Sequence, residues 1–75
     1  MLKELKAICN LPADQRFDKF ETLMQTPDSR QAVGDVWDEL TIEEKAQLHE
    51  GAALHFGNTP EGARKMKEKL IREYA

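Results

Sequence analysis

TIEEKAQLHEGAALHF, residues 41–56, is the stretch on which the fold turns. It opens on Thr41-Ile42-Glu43-Glu44, a Thr-x-x-Glu spacing in which the hydroxyl and the carboxylate can each cap a backbone N–H of the first turn. It closes against Gly57-Asn58, two residues that tolerate the left-handed backbone of a helix C-cap. The pattern predicts one unbroken helix over 42–56. The same stretch nearly spells a zinc-protease signature, with His-Glu-x-x-x-x-His where that motif has His-Glu-x-x-His. The motif works because positions i and i+4 share one helix face. His49 and His55 are six residues apart, so a continuous helix turns them about 120° away from each other and separates them by about 9 Å along its axis. One zinc needs both ring nitrogens at about 2.1 Å. The position that completes the motif is Ala53, which cannot ligate a metal. The expectation is therefore no metal site and no cofactor.

The same capping logic applies outward along the chain. Thr26-Pro27-Asp28 and Thr59-Pro60-Glu61 each offer a threonine N-cap, a proline in the first turn and a carboxylate for the positive end of the helix dipole. Pro12 marks a further start. Helices are predicted at 2–9, 12–25, 28–39, 42–56 and 60–74, and no stretch alternates long enough to make a strand. Short connections fold neighbouring helices back on one another. The expected architecture is all-α: a small compact bundle of four to five short helices forming a single domain over 1–75.

Helical periodicity sorts the faces. Leu2, Leu5, Ile8 and Cys9 form the first apolar stripe, and Ala13, Phe17, Phe20, Leu23 and Met24 the second. Val33, Val36, Trp37 and Leu40 form the third; Ala63, Met66, Leu70 and Tyr74 form the last, with Ile71 on its edge. So small a domain needs nearly all its large apolar residues for its core, so the aromatics are expected inside. The 42–56 helix is apolar on more than one side. Such a helix is either covered from both sides or docks on a partner. Gly51, Ala52 and Ala53 leave room for a close helix, His49 is expected to be partly buried, and His55 to lie at the rim. Leu54 has no place in this core. Gly34, costly inside a helix, is expected beneath a close-passing helix beside Trp37.

The 75 residues carry a net charge of −3, a single cysteine, and no apolar run near the roughly 18 residues that span a bilayer. MLKELKAICN lacks the continuous apolar core of a signal peptide, and a cytoplasmic location is expected. Charge is uneven: residues 26–59 hold seven acidic and two basic side chains, residues 60–75 three acidic and five basic. There is no glycine-rich phosphate loop and no Gly-x-Ser-x-Gly elbow, and Cys9 falls on an apolar stripe. No enzyme is expected.

What remains is surface. The leading expectation is a protein-binding module that docks on a larger protein or complex, through a basic groove that meets Asp35, Asp38, Glu39, Glu43 and Glu44. At the level of class alone, small acidic chains of this kind include phage-encoded inhibitors that occupy nucleic-acid grooves of host enzymes, anti-CRISPR proteins among them. A homodimer seamed at Leu54, or a structural subunit, falls under the same heading. The rival is nucleic-acid binding, suggested by the helix-turn-helix-like succession over 28–56 and the row Lys65, Lys69, Arg72. Against it, a recognition helix at 42–56 would carry Glu43, Glu44 and Glu50 against Lys45 alone, and phosphate would repel it.

Overall fold

The computed structural model describes residues 1–74. Five helices appear in the expected order: α1 (Leu2–Cys9), α2 (Ala13–Leu23), α3 (Pro27–Val36), α4 (Ile42–His55) and α5 (Pro60–Tyr74), with a 3-10 turn over Trp37–Glu39. No strand occurs among the described residues.

The caps form where the sequence places them. Thr26 Oγ1 accepts from Ser29 N at 3.1 Å, with Pro27 in the first turn of α3. At Thr41 both halves of the capping box close: Glu44 N donates to Thr41 Oγ1 at 3.1 Å, and Thr41 N to Glu44 Oε1 at 2.8 Å. Thr59 Oγ1 accepts from Gly62 N at 3.0 Å at the start of α5. After α4, Gly57 takes φ +97; Asn58 N donates to Ala53 O at 2.9 Å and Gly57 N to Leu54 O at 3.2 Å, the paired bonds of a Schellman motif. Several boundaries differ from expectation, and α2 stops at Leu23 rather than at 25. Pro12 is the extended residue before α2 rather than its first turn (φ −51, ψ 141). The third helix stops at Val36, because the chain tightens into the 3-10 turn and then extends at Leu40, which enters the core.

The double-sided apolar character of α4 now has a cause within the chain. Its most extensive neighbour is α5 and the next is α2, with α1 packed on it as well. Ala46 of α4 and Ala63 of α5 are both buried, and residues this small let those helices approach closely. Gly51 is the point of closest approach to α2: a Cβ there would lie 2.8 Å from Arg16 Cβ and 3.3 Å from Ala13 O. The Cα envelope is 34 × 26 × 16 Å. Its short dimension is less than two helix diameters of about 10–12 Å, so every helix keeps a side at the surface.

The core is accordingly aliphatic. It is built from Leu5, Ile8, Cys9, Val33, Leu40 and Leu48, and its fully buried large side chains are Leu5 and Cys9. The aromatics depart from expectation, since none is buried. Phe17, Phe20 and Trp37 are half-buried, while Phe56 and Tyr74 are 77% and 68% exposed. Gly34 also departs: it is exposed, and nothing would lie within 4 Å of its Cβ, so no helix crosses there.

One charged group sits where periodicity gave no warning. Glu50, counted among the acidic surface residues by sequence, is buried at the junction of three helices. Arg16 of α2 reaches its Oε1 at 2.7 Å and Lys67 of α5 at 3.4 Å. The Arg16 guanidinium also donates to Leu11 O at 2.8 Å and Gln47 O at 3.2 Å, so it satisfies a loop carbonyl as well as a charge.

Candidate functional site

Aromatic side chains that are not buried in the core collect on one face, Phe20 and Trp37 packed on its margin and Phe17 and Phe56 beyond it. Phe17 and Phe20 lie one turn apart on α2, and Trp37 stands at the head of the 3-10 turn. With Leu48, His49 and Ala52 of α4, and Arg16 as floor, they line an apolar cleft of about 170 Å³. Phe20 and Trp37 tilt against each other with ring centroids 6.4 Å apart. The surface continues past the cleft: the His55 ring stacks on Phe17 at 4.0 Å, and Phe56 meets both edge-on, 5.3 Å from Phe17 and 5.1 Å from His55. Four of the five aromatic residues and both histidines thus share the face between α2 and α4. His49, expected partly buried, is exposed there. Leu48, Ala52 and Phe56 follow at i, i+4 spacing; Leu48 reaches the core, whereas Ala52 lines the cleft and Phe56 lies against Phe17 and His55.

Charge borders this face. Asp14, Asp18 and Glu21 stand on either side of Phe17 along α2 at i, i+4, i+7 spacing, and all three are exposed. Asp18 lies 4.0 Å from His55. At the other end Asp38 is fully exposed and 4.0 Å from Lys45, whose ammonium sits 6.0 Å from the Trp37 ring centre. Arg16 is paired internally, and Lys19 lines a different cleft, between α1 and α2, in which it is balanced by Glu4. That second cleft carries no aromatic residue.

The acidic residues singled out by sequence differ in how they are engaged. Asp35 is exposed on α3 and accepts from Gln31 Nε2 at 2.9 Å. Asp38 and Glu39 are exposed on the 3-10 turn, beside Trp37. Glu43 is exposed on the first turn of α4, but two residues turn a helix by about 200°, so it looks away from Lys45 and the cleft. Glu44 is engaged within the chain: its side chain is 13% exposed, Lys6 Nζ holds its Oε1 at 2.8 Å and Thr41 N shares the same oxygen. The Lys6 hydrogen bond, with that from Thr41, holds its pKa below the usual carboxylate value. Leu54 is half-buried on α4, so its apolar character no longer calls for a second copy of the chain.

Chemistry-bearing groups elsewhere are quiet. Cys9 is buried, and burial, reinforced by the nearby Glu44 charge, pushes its thiol up to about 11, far from a reactive thiolate. Among the described residues no group of three or more His, Cys, Asp or Glu side chains comes together as a metal cage. On α5, Lys65 and Lys69 of the basic row pair with carboxylates one turn away, Glu61 and Glu73, and Arg64 beside them pairs with Glu68. No helix among the described residues is long and apolar enough to cross a membrane. No protein-family model, curated protein or solved structure matches the chain.

Proposed function

We propose that this chain is a protein-binding module that docks on a larger protein through its α2–α4 aromatic face. One observation carries the reading: no aromatic residue is buried, and Phe20 and Trp37, packed on the margin of the core, gather with Phe17 and Phe56 on one side. Phe56, 77% exposed, touches only Phe17 and His55 edge-on and buries little of its ring. Clustered aromatics around a shallow cleft, ringed by charge, have the anatomy of a binding hot spot with a polar rim. Asp38 and Glu39 keep their place in this reading as part of that rim. Asp35 and Glu43 lie further off, and Glu44 is occupied by Lys6.

The partner in this reading is a protein with a basic surface, and the module works in the cytoplasm. Where that surface is a nucleic-acid groove, docking occludes it, which is the action of phage-encoded inhibitors such as anti-CRISPR proteins. The test is affinity capture from the native host lysate with three baits: the native chain, Phe56→Glu on the aromatic face and Lys65→Glu on α5. A partner held by the native and Lys65→Glu chains but lost by Phe56→Glu supports the reading. Equal capture by all three removes it. A gel shift at low salt addresses the rival: retardation of duplex DNA at micromolar protein would favour nucleic-acid binding instead.

A further inference from the structure

We infer that the segment seated on the α2–α4 face is a basic amphipathic helix. It places a large apolar side chain in the cleft between Phe20, Trp37 and Leu48, with Lys or Arg side chains on Asp18 and Asp38. This rests on the docking reading above and names its occupant.

The shape argument comes first. α2 and α4 lie side by side, and two packed helices present ridges and a groove that a third helix fits. The cleft at the centre, about 170 Å³ and walled by aromatic and aliphatic groups, takes an apolar anchor rather than a polar one. Its floor cation offers no competing site for an anion, since Arg16 already serves Glu50, Leu11 O and Gln47 O.

Charge then selects the occupant. The charged and titratable groups that line or border the cleft are Arg16 and Asp18 from α2, Asp38 from the turn, and Lys45, His49 and His55 from α4, with Asp14, Glu21 and Glu39 exposed nearby in sequence. Arg16 is spent on Glu50, so with neutral histidines the carboxylates outnumber the one remaining ammonium. The two carboxylates that bracket the aromatic row, Asp18 and Asp38, have side chains 78% and 102% exposed. Their ion-pair contacts within the chain, Lys45 for Asp38 and the His55 ring, charged only when protonated, for Asp18, lie at 4.0 Å and satisfy neither fully. An acidic helix would meet like charge along the whole rim. A second copy of this chain would bring the same carboxylates against themselves.

Trp37 is the chain's only tryptophan and lies in the cleft, so its emission reports occupancy directly. The probe is a tryptophan-free Leu/Lys amphipathic peptide of about 14 residues, with a Leu/Glu peptide of identical apolar pattern as comparison. The Leu/Lys peptide is expected to shift Trp37 emission saturably, binding more weakly as salt rises. The Leu/Glu peptide, and the exposed-site double variant Asp18→Asn/Asp38→Asn, are expected to lower affinity at least about tenfold. Equal binding of both peptides overturns the charge assignment and leaves the docking face standing. Silence of Trp37 towards both peptides overturns the inference, whereas the docking reading stands or falls on the Phe56→Glu capture. A dimer that buries Trp37 in sedimentation equilibrium also overturns it, by naming a second copy as the occupant.

Discussion

A Cβ on Gly51 would stand 2.8 Å from the Cβ of Arg16, closer than two side-chain carbons pack. Both atoms belong to rigid stems, and the Ala13 carbonyl lies 3.3 Å behind, so the helices themselves must part. Gly51→Ala gains about 1 kcal/mol of helix propensity but incurs about 1–3 kcal/mol of overpacking, and a net loss of stability is expected. Gly34→Ala is the matched opposite. With open space around it, the substitution keeps only the propensity gain, about 0.5–1 kcal/mol. Urea midpoints that move the same way in both variants would contradict the packing described for α2 and α4.

The junction at Glu50 predicts a large asymmetry between single and double replacement. Arg16→Met leaves the buried Glu50 carboxylate with Lys67 alone and strips Leu11 O of its donor. Removing one partner of a buried pair costs about 3–5 kcal/mol, a large part of the roughly 4–11 kcal/mol expected for a chain of this length. Arg16→Met/Glu50→Leu removes both charges, and Lys67, already 25% exposed, can extend to water. The double variant is expected to regain most of the loss. Denaturation of the two singles and the double completes the cycle, and strict additivity would show that the pair is not coupled.

Glu44 gives the protein an acid-sensitive contact. Its folded pKa is depressed, so its contribution is present above the ordinary carboxylate value and is lost as pH falls through the folded one. Glu44→Gln keeps a group that can still cap Thr41 but ends the ion pair with Lys6. The variant is expected to be less stable than the native chain near neutrality, and the gap is expected to close as pH drops below about 4. A gap that stays constant from pH 7 to pH 3 would remove the charge from the account.

Capping and periodicity made most of the architecture legible. Thr26, Thr41, Thr59 and Gly57 announce helix ends through local chemistry, and local chemistry is what a sequence states directly. The dual apolar character of α4 pointed to cover on two sides or to a partner, and α5 and α2 both pack on it; Gly51 pointed to a close crossing, which α2 makes. Periodicity tells which residues share a face but not which face wins the core. That is why the aromatics of α2 read as interior when α1 supplies Leu5, Ile8 and Cys9 instead. Glu50 escaped for a related reason: its burial depends on Arg16, 34 residues away, and no local pattern carries that pairing. Within the acidic set read from sequence, the engagement of Glu44 by Lys6 escaped for the same reason, since the two lie 38 residues apart.

Cys9 predicts an alkaline limb. Its pKa is raised to about 11, so the neutral thiol favours the fold below the ordinary thiol value of 9.0, and that contribution is lost as pH rises from there through about 11. At pH 8 a thiol reagent should find Cys9 only when the core opens. Its labelling rate is expected to be orders of magnitude below that of the urea-unfolded chain and to rise in step with global destabilisation, as in Arg16→Met. Rapid labelling of the native protein would mean that α1 is not docked as described.

The aromatic face makes the sharpest distinction between stability and binding. A core phenylalanine cut to a small residue costs about 3–5 kcal/mol. Phe56, at 77% exposure, touches Phe17 and His55 only edge-on, so Phe56→Ser is expected to change stability by no more than about 0.5 kcal/mol. Leu48→Ala, on the same helix but 8% exposed, is expected to cost about 2–4 kcal/mol and serves as the internal comparison. A residue that the fold does not need, yet whose loss abolishes partner capture, belongs to the binding face. Should Phe56→Ser unfold the chain as readily as Leu48→Ala, the ring is structural after all, and the α2–α4 face loses its main claim as a docking surface.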